Sequence, residues 1–274
     1  MTNCRLPAFS SHIMNDWDKN INPHLLYFRY LKAIKSDSKN NNSDILKQFC
    51  SKADTSMIKI IRERQNAAID QIRGYQTICK ASFSLVDRLV IGMGIPSSFE
   101  TGMLLDWIHG IPFINGDAIK GATRAYGWEH IQKTNNTNEK DMFKSIFGTM
   151  NKEEEKSSDV WAGKVIFFNA YPKKDDGLFE VDIITNHYGP YYTGSPPEPP
   201  GDWHNPNPVP FIAIKAGTSF EFALSSENDA LANQAMEWLK EALCKRGIGA
   251  KKHVGYGHFN LCKKECTNSH TSSN

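Results

Sequence analysis

Between Ala242 and Lys264 the chain carries Lys245, Arg246, Lys251, Lys252, Lys263 and Lys264 and no acidic residue. Inside that run lies Gly247-Ile248-Gly249-Ala250-Lys251-Lys252-His253-Val254-Gly255-Tyr256-Gly257. Four glycines in eleven residues let a backbone approach an anion closely, and the lysines supply countercharge. Two better-known phosphate binders are excluded by spacing. The Gly-x-x-x-x-Gly-Lys-[Ser/Thr] pattern is missing, and position 252 is Lys where a dinucleotide loop needs its third glycine. What is left suits a polyphosphate backbone. A flexible solvated turn is the equal alternative.

A second stretch runs Gly110-Ile111-Pro112-Phe113-Ile114-Asn115-Gly116-Asp117-Ala118-Ile119-Lys120-Gly121-Ala122-Thr123-Arg124. A glycine turn that opens a helix points free amides outward and favours anions. Asp117 is the expected N-cap of a helix from Ala118 to about Ile131. Lys120 and Arg124 are four apart and share a helical face, and Gly121 leaves room for another backbone to come close. The competing description is a capped surface helix with two solvated cations.

Catalysis has thinner support. Asp182, His187 and Tyr188 lie near one another, and His187 is a conceivable general acid or base. No nucleophile, second histidine or metal-ligand set can be placed beside it, so a structural or ligand-contact role is expected. His253 reads as a backbone contact. Asp182 alone offers a divalent ion too few oxygens. The six cysteines, Cys4, Cys50, Cys79, Cys244, Cys262 and Cys266, form no Cys-x-x-Cys pair and read as free thiols. A zinc site from Cys262, Cys266 and His258 or His270 departs from the usual spacings. Neither a catalytic residue, a metal nor a cofactor is assigned.

The elements that must position these residues follow from periodicity. Leu25, Leu26, Phe28, Tyr30, Leu31 and Ile34 form an apolar helical segment, followed by a polar break from Ser36 to Ser43. A second helix is expected over Thr55–Ile72, with Gly74 as its stop. Tyr75 to Gly94 is rich in β-formers and ends in Arg88-Leu89-Val90-Ile91-Gly92-Met93-Gly94, a strand running into a glycine turn. Met142, Phe143 and Ile146 mark a short helix, and the acidic run Lys152 to Ser158 a polar connection. Lys164–Phe168 is a strand, and Phe211–Ile214 with Thr218–Leu224 a hairpin around Gly217. The last helix spans Asp229–Arg246 with Gly247 just past its end, and a final strand covers Gly257–Cys262. The order β-α-β-β-α-β suggests a split βαβ sheet. Between Gly189 and Pro210 lie eight of the thirteen prolines, among Tyr191, Tyr192, Trp203 and His204. This is an extended loop whose aromatics either stack on bases or pin it to protein.

Composition sets the frame. A length of 274 residues fits one large domain, or one domain with an extension, and needs no disulfides for a core. With 40% hydrophobic and 23% charged residues, wholesale disorder is excluded. Lys and Arg number 32 against 30 Asp and Glu, so any basic footprint is local. No segment approaches the ~20 apolar residues of a bilayer span, and the first thirty residues lack a secretory apolar region. A cytoplasmic location is expected.

The two glycine stretches together resemble a known family. Gly247–Gly257 is similar to the signature loop of RAMP proteins, the RNA-binding subunits of CRISPR effector complexes. Ile111–Arg124 resembles the RAMP motif Ile-Pro-Gly-Ser-Ser-Leu-Lys-Gly-Ala-Leu-Arg. Phe147-Gly148, Gly163-Lys164-Val165 through Ala170-Tyr171-Pro172, and Asp182 to Tyr192 extend the agreement over about Arg88 to Phe259. Asn115 stands where proline is common, Asp117-Ala118 replaces two serines, and Asn169 a frequent aspartate.

The resemblance implies an α+β, ferredoxin-like (RRM-related) RAMP fold over residues 75–262. A helical N-terminal extension, 1–74, precedes it, loops are inserted, and 263–274 form a disordered tail. It further implies a non-catalytic structural subunit of a type III-B effector complex in antiviral defence. Such a subunit grips the guide RNA backbone towards its 3′ end and caps the filament. Its partners are guide and target RNA, other RAMP subunits and a small helical subunit. The candidate RNA contacts are Arg88, Gly94, Asn115, Gly116, Lys120, Gly121, Arg124, His187, Gly249, Lys251, Lys252, His253, Gly255 and Tyr256. Two alternatives stand beside this: a guide-processing endoribonuclease using His187, and a protein-only scaffold using the N-terminal helices and the proline-rich loop.

Overall fold

Alternation along Thr77–Leu85 (β1) sets Cys79, Ala81, Phe83 and Leu85 on one face and Ile78, Lys80 and Ser82 on the other. A computed structural model describes residues 21–30, 42–72, 76–148 and 161–267. It shows mixed helix and antiparallel sheet. Leu31, Ile34, Gly74, the acidic run 152–158 and most of the break 36–43 lie outside the described residues.

Further strands are Ile166–Phe167 (β2), Tyr171–Pro172 (β3), Phe179–Asn186 (β4), Asn207–Ile214 (β5), Ser219–Ser226 (β6) and Phe259–Thr267 (β7). β1 is central, antiparallel to β6 on one side and β7 on the other, in a sheet ordered β2-β6-β1-β7, with β3 also on β6. Phe83, Phe220, Phe222 and Phe259 are fully buried. Phe222 meets Phe83 and Phe259 edge-to-face at 5.4 and 5.6 Å, the arrangement that ring quadrupoles favour.

The long helices are Asn42–Lys52 (α1), Met57–Ile72 (α2), Gly116–Thr134 (α3), Thr137–Phe147 (α4) and Asp229–Glu241 (α5). α3 and α5 pack together, and α5 covers the Cys79 face of β1 and β6. The expected stripe Leu231, Ala235, Leu239, Ala242 and Leu243 is buried. α5 continues as π-type turns over Ala242–Arg246 and stops at Gly247, whose φ is +68°. α2 covers the opposite sheet face, where Ile69 packs on Ile78 and Ala223. Polar residues complete that layer: Lys80 Nζ donates to Asn66 Oδ1 at 2.9 Å, and Asn66 Nδ2 to Glu221 Oε1 at 3.2 Å.

The contacts divide the chain into two compact units. Among the described residues, the sheet just described belongs with those of 56–91, 112–176 and 215–267; the other unit joins those of 21–55 with 92–111 and 177–214. In this second unit β4 and β5 form a two-stranded ribbon against which α1 packs. Phe49 of α1 meets Tyr27 and Phe179 at 5.5 and 5.6 Å. The Tyr27 hydroxyl donates to the Thr101 carbonyl at 2.7 Å, and burial pushes its pKa up to about 12.

Several expectations are corrected. Phe211–Ile214 does not form a hairpin with Thr218–Leu224: β5 pairs with β4 and β6 with β1, because the chain changes unit at Lys215. Arg88 to Gly94 is not a ladder strand, since β1 ends at Leu85. α1 and α2 belong to different units. α1 itself was not anticipated. The final strand runs to Thr267 rather than Cys262, its added residues paired with β1 from Ser82 to Ile78, and residues 268–274 of the expected tail lie outside the described residues. Pro208 and Pro210 lie inside β5; a two-stranded ribbon has only edges, so alternate positions can turn their missing N–H outward.

Phe222→Ala is expected to cost about 3–5 kcal/mol, the range for deleting a fully buried ring. Urea unfolding followed by circular dichroism would measure it.

Candidate nucleic-acid interface

The glycine loop closes on the chain that leaves β1. Gly257 N donates to Arg88 O at 2.7 Å and Ala250 N to Val90 O at 2.8 Å, while Ile248 N reaches Gly257 O across the loop at 2.9 Å. This closeness requires glycine. A Cβ on Gly257 would stand 1.9 Å from Ile248 O, and one on Gly249 2.4 Å from Val90 O, and both residues have positive φ. Gly255 has φ +100° but open space around it, so there the backbone alone demands glycine. The loop amides expected to cradle an anion are therefore largely spent. Those of Gly247, Ile248, Ala250, Val254, Gly255, Tyr256 and Gly257 each donate to a backbone carbonyl.

The groups left for anion chemistry are side chains. A short 3-10 turn, Lys252–Val254, forms the apex, with His253, Val254 and Gly255 exposed and Lys251 and Lys252 half-buried. Lys251 takes a left-handed φ of +58°, and its Nζ lies 5.1 Å from the centre of the buried Tyr256 ring. Tyr256 thus backs the loop rather than facing out. Arg88 reaches the same place through its carbonyl, and its guanidinium lies 3.7 Å from Asp87.

The rest of the basic run is distributed elsewhere. Lys245 is held by Glu241 at 2.5 Å, a hydrogen bond that raises the lysine pKa and lowers that of the carboxyl. Arg246 bridges to Glu129 at 2.6 Å and to Ala125 O at 3.3 Å on α3. Lys263 and Lys264 are residues of β7.

At the start of α3 the cap differs from expectation. Asn115, not Asp117, is the N-cap: its Oδ1 accepts from Asp117 N at 3.0 Å. Gly116 N donates to Asn169 Oδ1 at 2.8 Å. Gly116 is buried, and a Cβ there would meet Phe167 O at 2.3 Å. The amides expected to point at an anion are thus partly satisfied within the protein. Beyond the cap, Gly121 and Arg124 are exposed and Lys120 half-buried, and a Cβ on Gly121 would meet nothing within 4 Å. Asn169 is the residue whose part sequence reasoning missed. Its signal was its place in the motif, not its spacing.

Arg88 joins Gly249, Lys251, Lys252, His253, Gly255 and Tyr256; Asn115, Gly116, Lys120, Gly121 and Arg124 form a second cluster on α3. Gly94 and His187 belong to the other unit, and both are exposed. The His187 ring centre lies 6.0 Å from that of Tyr188. In the proline-rich segment Tyr191, Tyr192 and Trp203 are exposed, whereas His204 is buried and its Nε2 lies 2.9 Å from Pro199 O. The loop is thus pinned by one aromatic residue and exposes the others. Among the described residues no group of His, Cys, Asp and Glu is arranged to hold a metal ion. A groove of about 380 Å³ is lined by Lys59, Arg62, Glu63, Asn66, Lys173 and Asp175. Its mixed charge selects no anion.

A family model described as the RAMP superfamily matches residues 82–260. A "CRISPR system Cmr subunit Cmr6" of Pyrococcus furiosus is 30% identical over 233 residues, covering 65% of this chain and 66% of that protein. A "CRISPR system CMR subunit Cmr6" of Saccharolobus solfataricus is 26% identical over 189 residues, covering 67% and 58%. The matches thus span just under two thirds of one relative and less of the other. A chain of the "Type III-B Cmr-beta bound to cognate target RNA" superposes with a TM-score of 0.66 at 21% identity, covering 94% of this chain and 96% of that one. That likeness shows the fold.

Two glycine replacements should act in opposite directions. Gly257→Ala should destabilise by more than about 1 kcal/mol through left-handed strain alone. Gly121→Ala, in an open helical position, should stabilise by about 0.5–1 kcal/mol. Equilibrium denaturation of both variants checks the pair.

Proposed function

This chain belongs to the RAMP superfamily, and on that premise we propose that it is a non-catalytic, RNA-binding structural subunit of a type III-B CRISPR effector complex. Its contacts go to the guide RNA backbone towards the 3′ end, and it caps the filament of RAMP subunits in antiviral defence. The observation that carries this reading is the glycine loop clamped on Arg88–Val90, with Lys251, Lys252 and His253 at its apex. A guide of any sequence must be held, so phosphates and sugars are the groups to grip.

The sheet order β2-β6-β1-β7, with α3 and α5 as crossovers, is that of a split βαβ unit and supports a ferredoxin-like core. Other RAMP subunits, a small helical subunit and target RNA are the proposed partners, following the assembly named for the Cmr-beta relative. No described helix is long and apolar enough to cross a membrane, and the proposed location is the cytoplasm. Trp107 and Ile108, 79% and 80% exposed, favour protein docking as an additional role.

Lys120→Glu with Lys251→Glu and Lys252→Glu should weaken RNA retention without altering circular dichroism. The log–log salt slope should fall by about 0.7 for each lost phosphate contact on a single strand. Unchanged retention by the folded triple variant would sink the RNA-grip reading. A denaturing gel on the same samples should show intact RNA for both the natural chain and His187→Ala. Discrete products that vanish in His187→Ala would make the chain a guide-processing nuclease.

A further inference from the structure

We propose that His258 is the positioning residue of the glycine loop, and that protonation of its ring is linked to the binding of a chain of phosphates by that loop. The inference rests on the RNA-binding reading above and adds proton linkage to it.

The half-buried His258 ring lies between two backbone carbonyls. Nδ1 is 3.4 Å from Cys244 O and Nε2 is 3.2 Å from Lys252 O. A carbonyl oxygen only accepts. A neutral imidazole has one N–H, so its bare nitrogen would face an oxygen lone pair; the imidazolium donates to both. Cys244 lies in the π-type turns that end α5, where carbonyls lack helical partners and the dipole is negative. Lys252 opens the 3-10 turn at the loop apex. The ring is mounted on a fixed point, because His258 O accepts from Val86 N at 2.9 Å. Gly247 leaves it room: a Cβ there would stand 3.2 Å from His258 Cδ2. A protonated His258 therefore ties the apex that carries Lys251, Lys252 and His253 to the end of α5.

The titratable and charged groups on the surrounding elements are Cys244, Lys245 and Arg246 at the helix end, Lys251, Lys252 and His253 on the loop, and Asp87 and Arg88 after β1. Lys245 and Arg246 are engaged with Glu241 and Glu129. Most of the neighbouring charge is positive, so an arriving polyanion favours the charged ring. By reciprocity, ring protonation favours the polyanion. RNA binding should then take up a proton.

The test is the affinity of the full chain for a labelled single-stranded RNA between about pH 5.5 and 8, where histidine changes charge, at constant ionic strength. Affinity should fall as pH rises, approaching about tenfold per unit for one linked proton. His258→Gln should flatten the profile. A flat natural profile, or one that persists in His258→Gln, overturns the proposal. Ring nitrogen chemical shifts of the free natural chain provide a readout independent of RNA. Two protonated nitrogens with loop amide shifts that move as the ring titrates support the strut; a titration that leaves those amides unmoved overturns it. No RNA binding at any pH would instead overturn the RNA reading.

Discussion

The rest of the interface depends on one constraint: the glycine loop must lie directly against the backbone that leaves β1. The bonds from Gly257 to Arg88 and from Ala250 to Val90 leave no space for side chains at Gly249 or Gly257. Contact this close fixes the end of α5, the exit of β1 and the start of β7 relative to one another. The 3-10 turn with Lys251, Lys252 and His253 is then carried by three anchored elements instead of moving as a free loop. A rigid mount is what the proposed backbone grip needs, since contacts to phosphates and sugars carry no base-specific bonds to correct their register.

Electrostatics work locally in this chain. With a net charge of +2, the protein as a whole offers no attraction to nucleic acid. Within the basic run, Lys245 pairs with Glu241 one turn earlier at the end of α5, and Arg246 pairs with Glu129 and ties that end to α3. The apex and the Lys120–Arg124 face of α3 carry the other cations of the two glycine stretches. A partly buried lysine beside Tyr256 also keeps less of its rotamer freedom to lose on binding.

The second unit is built by other means. Its two-stranded ribbon would be marginal alone, and α1 supports it through Phe49, Tyr27 and Phe179. Prolines at alternate positions of β5 are compatible with a ribbon that has two edges, and they discourage pairing with further strands. His204 anchors the loop between the strands, leaving Tyr191, Tyr192 and Trp203 exposed.

Local chemistry was legible from the sequence alone. The alternation of Phe220, Phe222 and Leu224, the buried stripe of α5 and the stop at Gly247 depend on neighbours within one turn or one strand, and they hold. The two glycine stretches were found by composition and motif, and the RAMP family by their combination. Pairing and purpose needed the tertiary structure. Whether Phe211–Ile214 joins β6 or β4 is set by long-range register, which a short apolar strand cannot encode by itself. The N-cap moved from Asp117 to Asn115 because Gly116 N is satisfied by Asn169, 53 residues downstream. The loop glycines looked like an anion cradle, but Gly249 and Gly257 serve close packing and Gly255 a left-handed turn. A glycine's open φ is visible in sequence; the carbonyl that crowds its missing Cβ belongs to a distant segment and exists only once the chain has folded.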